Sequence, residues 1–381
     1  MMIHARTQRG SMLVTASLFF IILIGFAALA VDVGHMMIAR NELQNAADAA
    51  ALAGANCLGK TPNSLGTDCT DTSSPSGDMN WAVAESKAYS SIGLNKGDGA
   101  TLTDGVVTTG YKNLADSILN PSALMPISHS PVTCDLKTPG APCYAPAVKV
   151  IIRKNTGLNN GPIQLLMNSM YGTAKIVPIS VTAVAVISAP GKMRPRIPVV
   201  INKCMLDLYW NSAKGEPLLA TSTTLNNVPQ TIGLPWTIRI GSSYHYPNCD
   251  SGQWTSFALN SNSESVIKNL IVNGYSNFVA IGDMTWITNG TMTAAYKALD
   301  EKFPSPPGAD VALIVVDSPN GLNPATGTAM PIVEFAGFHI DDIQGGSKKY
   351  IEGHFMKVTF SSGSVGIGPF HGNYTRPRLA Q

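Results

Sequence analysis

Residues 10–55 read GSMLVTASLFFIILIGFAALAVDVGHMMIARNELQNAADAAALAGA, and the organisation of the whole chain follows from how this stretch is interpreted. Residues 10–31 hold no charge, and roughly 20 apolar residues of helix suffice to cross a bilayer core. Arg6 and Arg9 precede the run, while Asp32, Arg40 and Glu42 are the first charges after it. That bias predicts a cytoplasmic amino terminus and an exported remainder. The rival is a signal peptide cut after Ala30, since Ala28-Leu29-Ala30 has the small-x-small form of a cleavage site and Gly25 could break the helix ahead of it. Two features favour a retained anchor. The apolar run exceeds the about 7–15 residues of a signal-peptide core, and helix-compatible sequence continues to about residue 55.

Within that continuation Leu43, Ala47, Ala50 and Gly54 recur at i, i+4, i+7 and i+11, a smooth stripe of mostly small residues, with Asn41, Gln44, Asn45 and Asp48 on the other faces. Such a stripe admits close approach of a neighbouring helix, which leaves a helix-mediated oligomer open. It equally suits a helix that packs on its own globular domain.

Working outward, the 381 residues are enough for roughly two domains beyond the anchor. Charged residues make up only 13% of the chain, about half the usual share, and polarity comes instead from 35 Gly, 25 Pro and runs of Ser, Thr and Asn. This composition suits an exported, strand-rich body. Net charge is +2 and the basic residues are scattered, Lys348-Lys349 being a rare pair, so nucleic acid is not an expected partner. The six cysteines, Cys57, Cys69, Cys134, Cys143, Cys204 and Cys249, contain no C-x-x-C, which argues against zinc and thioredoxin-like chemistry. Paired in sequence order they close short loops, predicting three disulfides and an oxidising compartment.

The local patterns predict an exposed loop at 61–78, a helix at 80–92, strands at 105–111 and 147–153, a helix at 162–172 and a long β-branched strand at 174–188. Residues 189–198, APGKMRPRIP, crowd prolines and basic residues together and mark a linker. Beyond it, strands are expected at 197–201, 236–240, 278–281, 310–316, 332–340 and 355–360, with a short helix at 263–273. The fold class is thus α+β: a long amino-terminal transmembrane helix continuing into an exported helix, a small α+β domain, and a mainly β domain stapled by disulfides. The boundaries are a tail at 1–10, the span at 11–31, a helical extension at 32–56, the α+β domain at 57–190 and the β-rich domain at 191–381.

No pattern in the exported part specifies chemistry. His339 and Asp341 share a face of one predicted strand while Asp342 points away, and even with His354 alongside a structural role outweighs a metal site. Seven histidines permit a Ser-His-Asp triad, but no G-x-S-x-G elbow occurs. Gly366-x-Gly368 is followed by Pro369 near the carboxyl terminus and is a turn rather than a dinucleotide loop. No catalysis, cofactor or metal is expected. The Trp and Tyr residues concentrated between 209 and 286 are expected in a core.

The string around residues 9–55 resembles the amino terminus of the TadE/TadG-like family of Flp (Tad) pilus-assembly proteins. The features that carry the resemblance are Arg9-Gly10 before the apolar span, Asp32-x-Gly34 after it, Arg40, and then Leu43, Gln44, Ala46, Ala47, Asp48, Ala49 and Ala50 on to Gly54. The stretches 249–257, 281–296 and 349–355 look like the exported region of members of this group. The resemblance implies a bacterial inner-membrane anchor with a periplasmic body that builds or tethers a thin pilus with other envelope proteins. Thr15 stands where pseudopilin-like members carry Glu, so prepilin-type processing after Gly10 is not implied. Asp71-Thr72-Ser73-Ser74-Pro75 and Asp317-Ser318-Pro319 both depart from the D-x-S-x-S of a von Willebrand A metal site. Two alternatives follow from the residues: an exported hydrolase behind a cleaved signal peptide, and a surface adhesin or minor pilus subunit.

Overall fold

The computed structural model describes residues 9–59, 69, 79–114, 124–127, 143–165, 176–212, 215–247, 249–288, 292–319, 321–322, 328–359, 368–369 and 371–380. Helix α1, Arg9–Leu58, is 50 residues long. At 1.5 Å per residue it measures about 75 Å, more than twice a bilayer core of about 30 Å. Among the described residues it is the one helix long and apolar enough to cross a membrane. Helix α2, Trp81–Ile92, lies where periodicity predicts it and buries Ala84, Ala88 and Ile92 at four-residue intervals.

By internal packing the chain divides into two units. One comprises Met1–Ala50, Tyr89–Val107 and Val150–Ala183; the other comprises Ala51–Ala88, Thr108–Lys149 and Val184–Gln381. Strands β1 (Val106–Asn113), β2 (Tyr144–Lys154) and β3 (Ile179–Val186) are long and rich in Val, Ile and Thr, as the pattern of residues predicts.

The larger sheet belongs to the second unit. Its strands are β4 (Val199–Asn202), β5 (Thr237–Ile240), β6 (Gly252–Thr255), β7 (Met284–Thr288), β8 (Ala309–Val316), β9 (Ala329–Gly345) and β10 (Lys349–Phe355). They run in the order β5-β10-β9-β7-β6-β4-β8, and β8 also pairs with β9. That extra pairing makes β9, β7, β6, β4 and β8 a closed ring, which leaves no free edge within it. Strand β9 achieves this by its 17-residue length: its start pairs with β7, its middle with β8 and its end with β10. All pairings in the ring are antiparallel except β8 with β4. The terminal strand β11 (Arg378–Leu379) pairs with β3 and joins the smaller sheet, ordered β11-β3-β2-β1.

Buried Val200, Ile201, Leu313, Ile314, Phe335 and Phe338 anchor the core of the second unit, joined by Tyr296 and by four of the aromatics expected inside, Tyr209, Trp210, Tyr246 and Trp254, while Trp236, Tyr244 and Trp286 are half-buried. Helices α3 (Lys203–Tyr209) and α5 (Thr293–Lys302) pack with this sheet, and α4 (Glu264–Asn273) packs on α5. Cys204 and Cys249 are bonded, with Cα atoms 6.0 Å apart, and Cys57 and Cys69 are bonded at 5.2 Å. Cys134, and with it the third expected pairing to Cys143, lies outside the described residues, as does most of the 61–78 loop.

Three local expectations differ from the structure. The strand expected at 355–360 is not continuous, since β10 ends at Phe355 and Val358–Thr359 pairs separately with Asn373–Tyr374. The helix predicted at 162–172 begins instead with Ile163–Gln164 in a short strand paired to Ile176–Val177, and residues 166–175 lie outside the described ones. Positive φ at Asn159 and Asn160 and at Gly161 turns the chain before β-branched Ile163, which favours the extended form. The segment 189–198, predicted as a linker, has Ala189, Met193 and Ile197 buried, and Lys192–Met193 pairs with Val279–Ala280.

Candidate functional site

The resemblance points at α1, and along it side-chain exposure changes sharply. Met12, Phe19, Phe20 and Phe26 are open, as is every described residue through Val31 apart from half-buried Gly25 and Ala28. Asp32 is buried at the end of that run, Gly34 has no atom near the position a Cβ would take, and Arg40 is exposed. From Ala39 onward one face is covered: Leu43, Ala46, Ala47, Ala50, Ala51 and Gly54 are buried, while Gln44 and Asp48 are half-buried and Ala49 is exposed. Arg9 and Gly10 open the helix. The small-residue stripe is therefore occupied by the chain itself. In the second unit Gly54 is where the helix passes closest to its neighbour: a Cβ there would sit 2.7 Å from the Ala84 carbonyl oxygen and 2.8 Å from the Ala88 Cβ.

In the first unit a hairpin grips this helix. Lys96–Gly97 and Ala100–Thr101 pair across Asp98-Gly99, whose positive φ values, 55° and 74°, are what a two-residue hairpin turn of matching twist demands. The Asp98 carboxylate lies 2.6 Å from His35 Nε2, and the Asp98 amide donates to Glu42 Oε2 at 2.7 Å. Glu42 and Leu43 lie about two turns beyond His35 on α1, and Leu43 lies close against Gly97, so two polar contacts and one apolar contact fix the hairpin. Lys154, almost fully buried, donates to the Asn159 carbonyl at 3.0 Å and lies 3.5 Å from Asp98 Oδ2. Asn159 uses its whole amide: Oδ1 accepts from the amides of Thr103 and Asp104, and Nδ2 donates to the carbonyls of Asp104 and Arg153. None of this latch was singled out from the sequence, although Asp-Gly between short polar strands was the available signal.

Two histidine arrangements in the second unit involve more than one pair; apart from them, exposed His245 has its Nδ1 2.6 Å from Asp250 Oδ1. His339 Nδ1 lies 2.6 Å from Asp310 Oδ1, and His354 Nδ1 lies 2.9 Å from Asp341 Oδ2. His339 Nε2 is 3.8 Å from Asp341 Oδ1, completing an alternating acid–imidazole row across β8, β9 and β10. The hydrogen bond that His339 donates to the Asp310 carboxylate raises the His339 pKa above the ordinary imidazole value. Each carboxylate is thus engaged by an imidazole, and the described residues contain no cluster of three or more ligands suited to a metal. Asp342 instead meets Tyr350 and Gln344, consistent with its expected divergence from Asp341.

The second arrangement has the order of a catalytic triad without its geometry. Ser212 Oγ stands 3.4 Å from His371 Nε2, and His371 Nδ1 lies 2.6 Å from Glu334 Oε2. The first distance is long for a hydroxyl being activated, and the close Glu334 contact is not aligned as a hydrogen bond, since Nδ1 and the other Glu334 oxygen are both left unsatisfied. Glu334 and His371 are 3% and 5% exposed, so the arrangement is closed off from solvent.

With this geometry in view, the comparisons with known proteins are specific to α1. The model of the Tad family, putative Flp pilus-assembly TadE/G-like, matches residues 10–56, which are the apolar run and the covered extension together. No curated protein and no solved structure matches the chain. The match supports involvement in Flp pilus assembly and, with the apolar helix, a membrane-anchored envelope protein of structural or assembly type.

Proposed function

We propose that the chain is a single-pass anchor of the cytoplasmic membrane, amino terminus inside, whose exported units engage other proteins of a Flp-type pilus assembly. One observation carries the proposal. A single unbroken helix is bare and apolar through Val31 and from Ala39 onward has one face covered by the chain's own residues, which is the form of a rod leaving lipid for a folded body. The two bonded cysteine pairs agree with an oxidising compartment. The boundaries of the exported body are proposed as 57–190 and 191–381, with the family-motif residues Asp32, Gly34, Arg40 and Leu43 through Gly54 setting how the helix enters it.

Protease added to spheroplasts tests the topology. The full chain is expected to lose its body while a fragment containing the span stays with the membrane, resistant to alkaline carbonate. An intact chain in the soluble cytoplasm would overturn the proposal, and a mature terminus at Val31 would replace the anchor with an exported, released protein.

A further inference from the structure

Where α1 emerges from its apolar run, the first unit contains an open cavity of about 380 Å3 lined by Val33, Met36, Met37 and Arg40 of the helix and by residues 177–180, Val-Pro-Ile-Ser. The four helix residues follow the i, i+3, i+4, i+7 spacing and so share one face, roughly opposite the face that carries His35 and Glu42 to the hairpin. Apolar surface is left bare around it: Val33 is 42% exposed, Met37 63%, Ile38 61% and neighbouring Ile176 51%. A folded body has little reason to keep these groups in water.

We infer that this groove seats an anionic glycerophospholipid of the outer leaflet of the same membrane, holding the edge strand Ile176–Val177 against the bilayer surface. The inference rests on the proposed span. If Val31 ends the hydrocarbon crossing, the helical rise places Val33 about 3 Å, Met36 and Met37 about 8–9 Å and Arg40 about 13 Å further out. The headgroup layer is about 5–7 Å deep, so the methionines lie at its outer margin and Arg40 just beyond. Helical side chains lean toward the amino terminus, here the bilayer, and a long Arg stem follows its apolar neighbours while the guanidinium meets the phosphate plane. Arginine is suited to that contact because its planar fork donates two parallel hydrogen bonds to phosphate oxygens. The apolar walls, Val33, Met36, Val177, Pro178 and Ile179, match the first methylenes of an acyl chain. The occupant's continuity with the membrane that α1 is proposed to cross, and the lone cation at a groove whose other lining residues are apolar apart from Ser180, select a lipid over a soluble ligand.

The test uses the full oxidised chain in lipid nanodiscs, with and without phosphatidylglycerol, and a nitroxide on Ile176→Cys. The expected result is oxygen accessibility at the label with exclusion of a water-soluble nickel chelate, together with phosphatidylglycerol enriched severalfold among the lipids retained on gentle detergent extraction. Arg40→Glu should abolish that enrichment and expose the label to nickel, while Arg40→Lys retains part of both; all three variants should melt like the parent, since both positions are exposed. A chain that inserts but shows a nickel-accessible label, or keeps its phosphatidylglycerol after Arg40→Glu, overturns the lipid seat alone. Failure to enter discs at all removes the span and the lipid seat with it.

Discussion

Along α1, Met12, Phe19, Phe20 and Phe26 are each more than 60% exposed, whereas Ala39, Leu43, Ala47 and Ala50 retain none of their surface. The more hydrophobic half is the bare one. Large apolar side chains suit a fluid solvent of no fixed shape, where only transferred area matters, at roughly 25 cal/mol per Å2. Alanine and glycine transfer little area, and what they contribute is distance: they let a fixed backbone come close, as Gly54 does with Ala84. One helix thus meets two environments, and side-chain size tracks the change better than hydropathy does.

The largest expected effect tests the bare half. Ile21→Lys together with Ile24→Lys should cost about 5–7 kcal/mol of insertion, at about 2.5–3.5 per charge near the bilayer centre, and should release the chain from carbonate-washed membranes. Ala47→Lys, in the covered half, should leave the chain membrane-bound but protease-sensitive, because it buries an unpaired charge. Reversal of these two outcomes would erase the distinction between the halves. The next effect belongs to the latch. Asp98→Asn leaves Lys154 buried beside a neutral partner, and the loss should fall near the low end of about 3–5 kcal/mol because Asp98 is itself partly exposed. Lys154→Met should lose less, since no buried charge remains. Urea midpoints that rank the two variants the other way would show that the ion pair is not what holds the hairpin to the helix.

Much of this arrangement was legible in residues 10–55, because a charge-free run and an alanine-rich continuation each carry a strong local signal, and in β8 and β9, whose β-branched runs read as strands. What the stripe packs against was not legible: Leu43, Ala47 and Ala50 look alike whether a second helix or the chain's own residues cover them. The closed ring was also hidden, because it depends on β9 dividing its length among β7, β8 and β10, a matter of long-range pairing. Helix α5 was overlooked although Ala294, Ala295, Tyr296, Ala298 and Leu299 carry the composition, with Ala295, Tyr296, Ala298 and Leu299 facing the core. The acid–imidazole row was legible only for His339, Asp341 and His354, since Asp310 reaches it through the β8–β9 register.

The two motif glycines give the finest probe of the contrast. Gly54→Ala places a methyl group against a backbone carbonyl and another Cβ, and such overpacking should outweigh the improved helix propensity for a net loss of about 1–2 kcal/mol, read as a lower melting temperature. Gly34→Ala meets nothing within 4 Å and removes only the entropic penalty of glycine in a helix, so it should be neutral or stabilise by about 0.5–1 kcal/mol. The value of that small effect lies in separating stability from assembly. If Gly34→Ala raises the melting temperature and pili still form, the space beside Gly34 faces lipid or water. If stability and membrane level hold while piliation fails, the space is kept for the backbone of another helix, as small-residue contacts in membranes require. The bare half of α1 would then be addressed to a protein as well as to lipid.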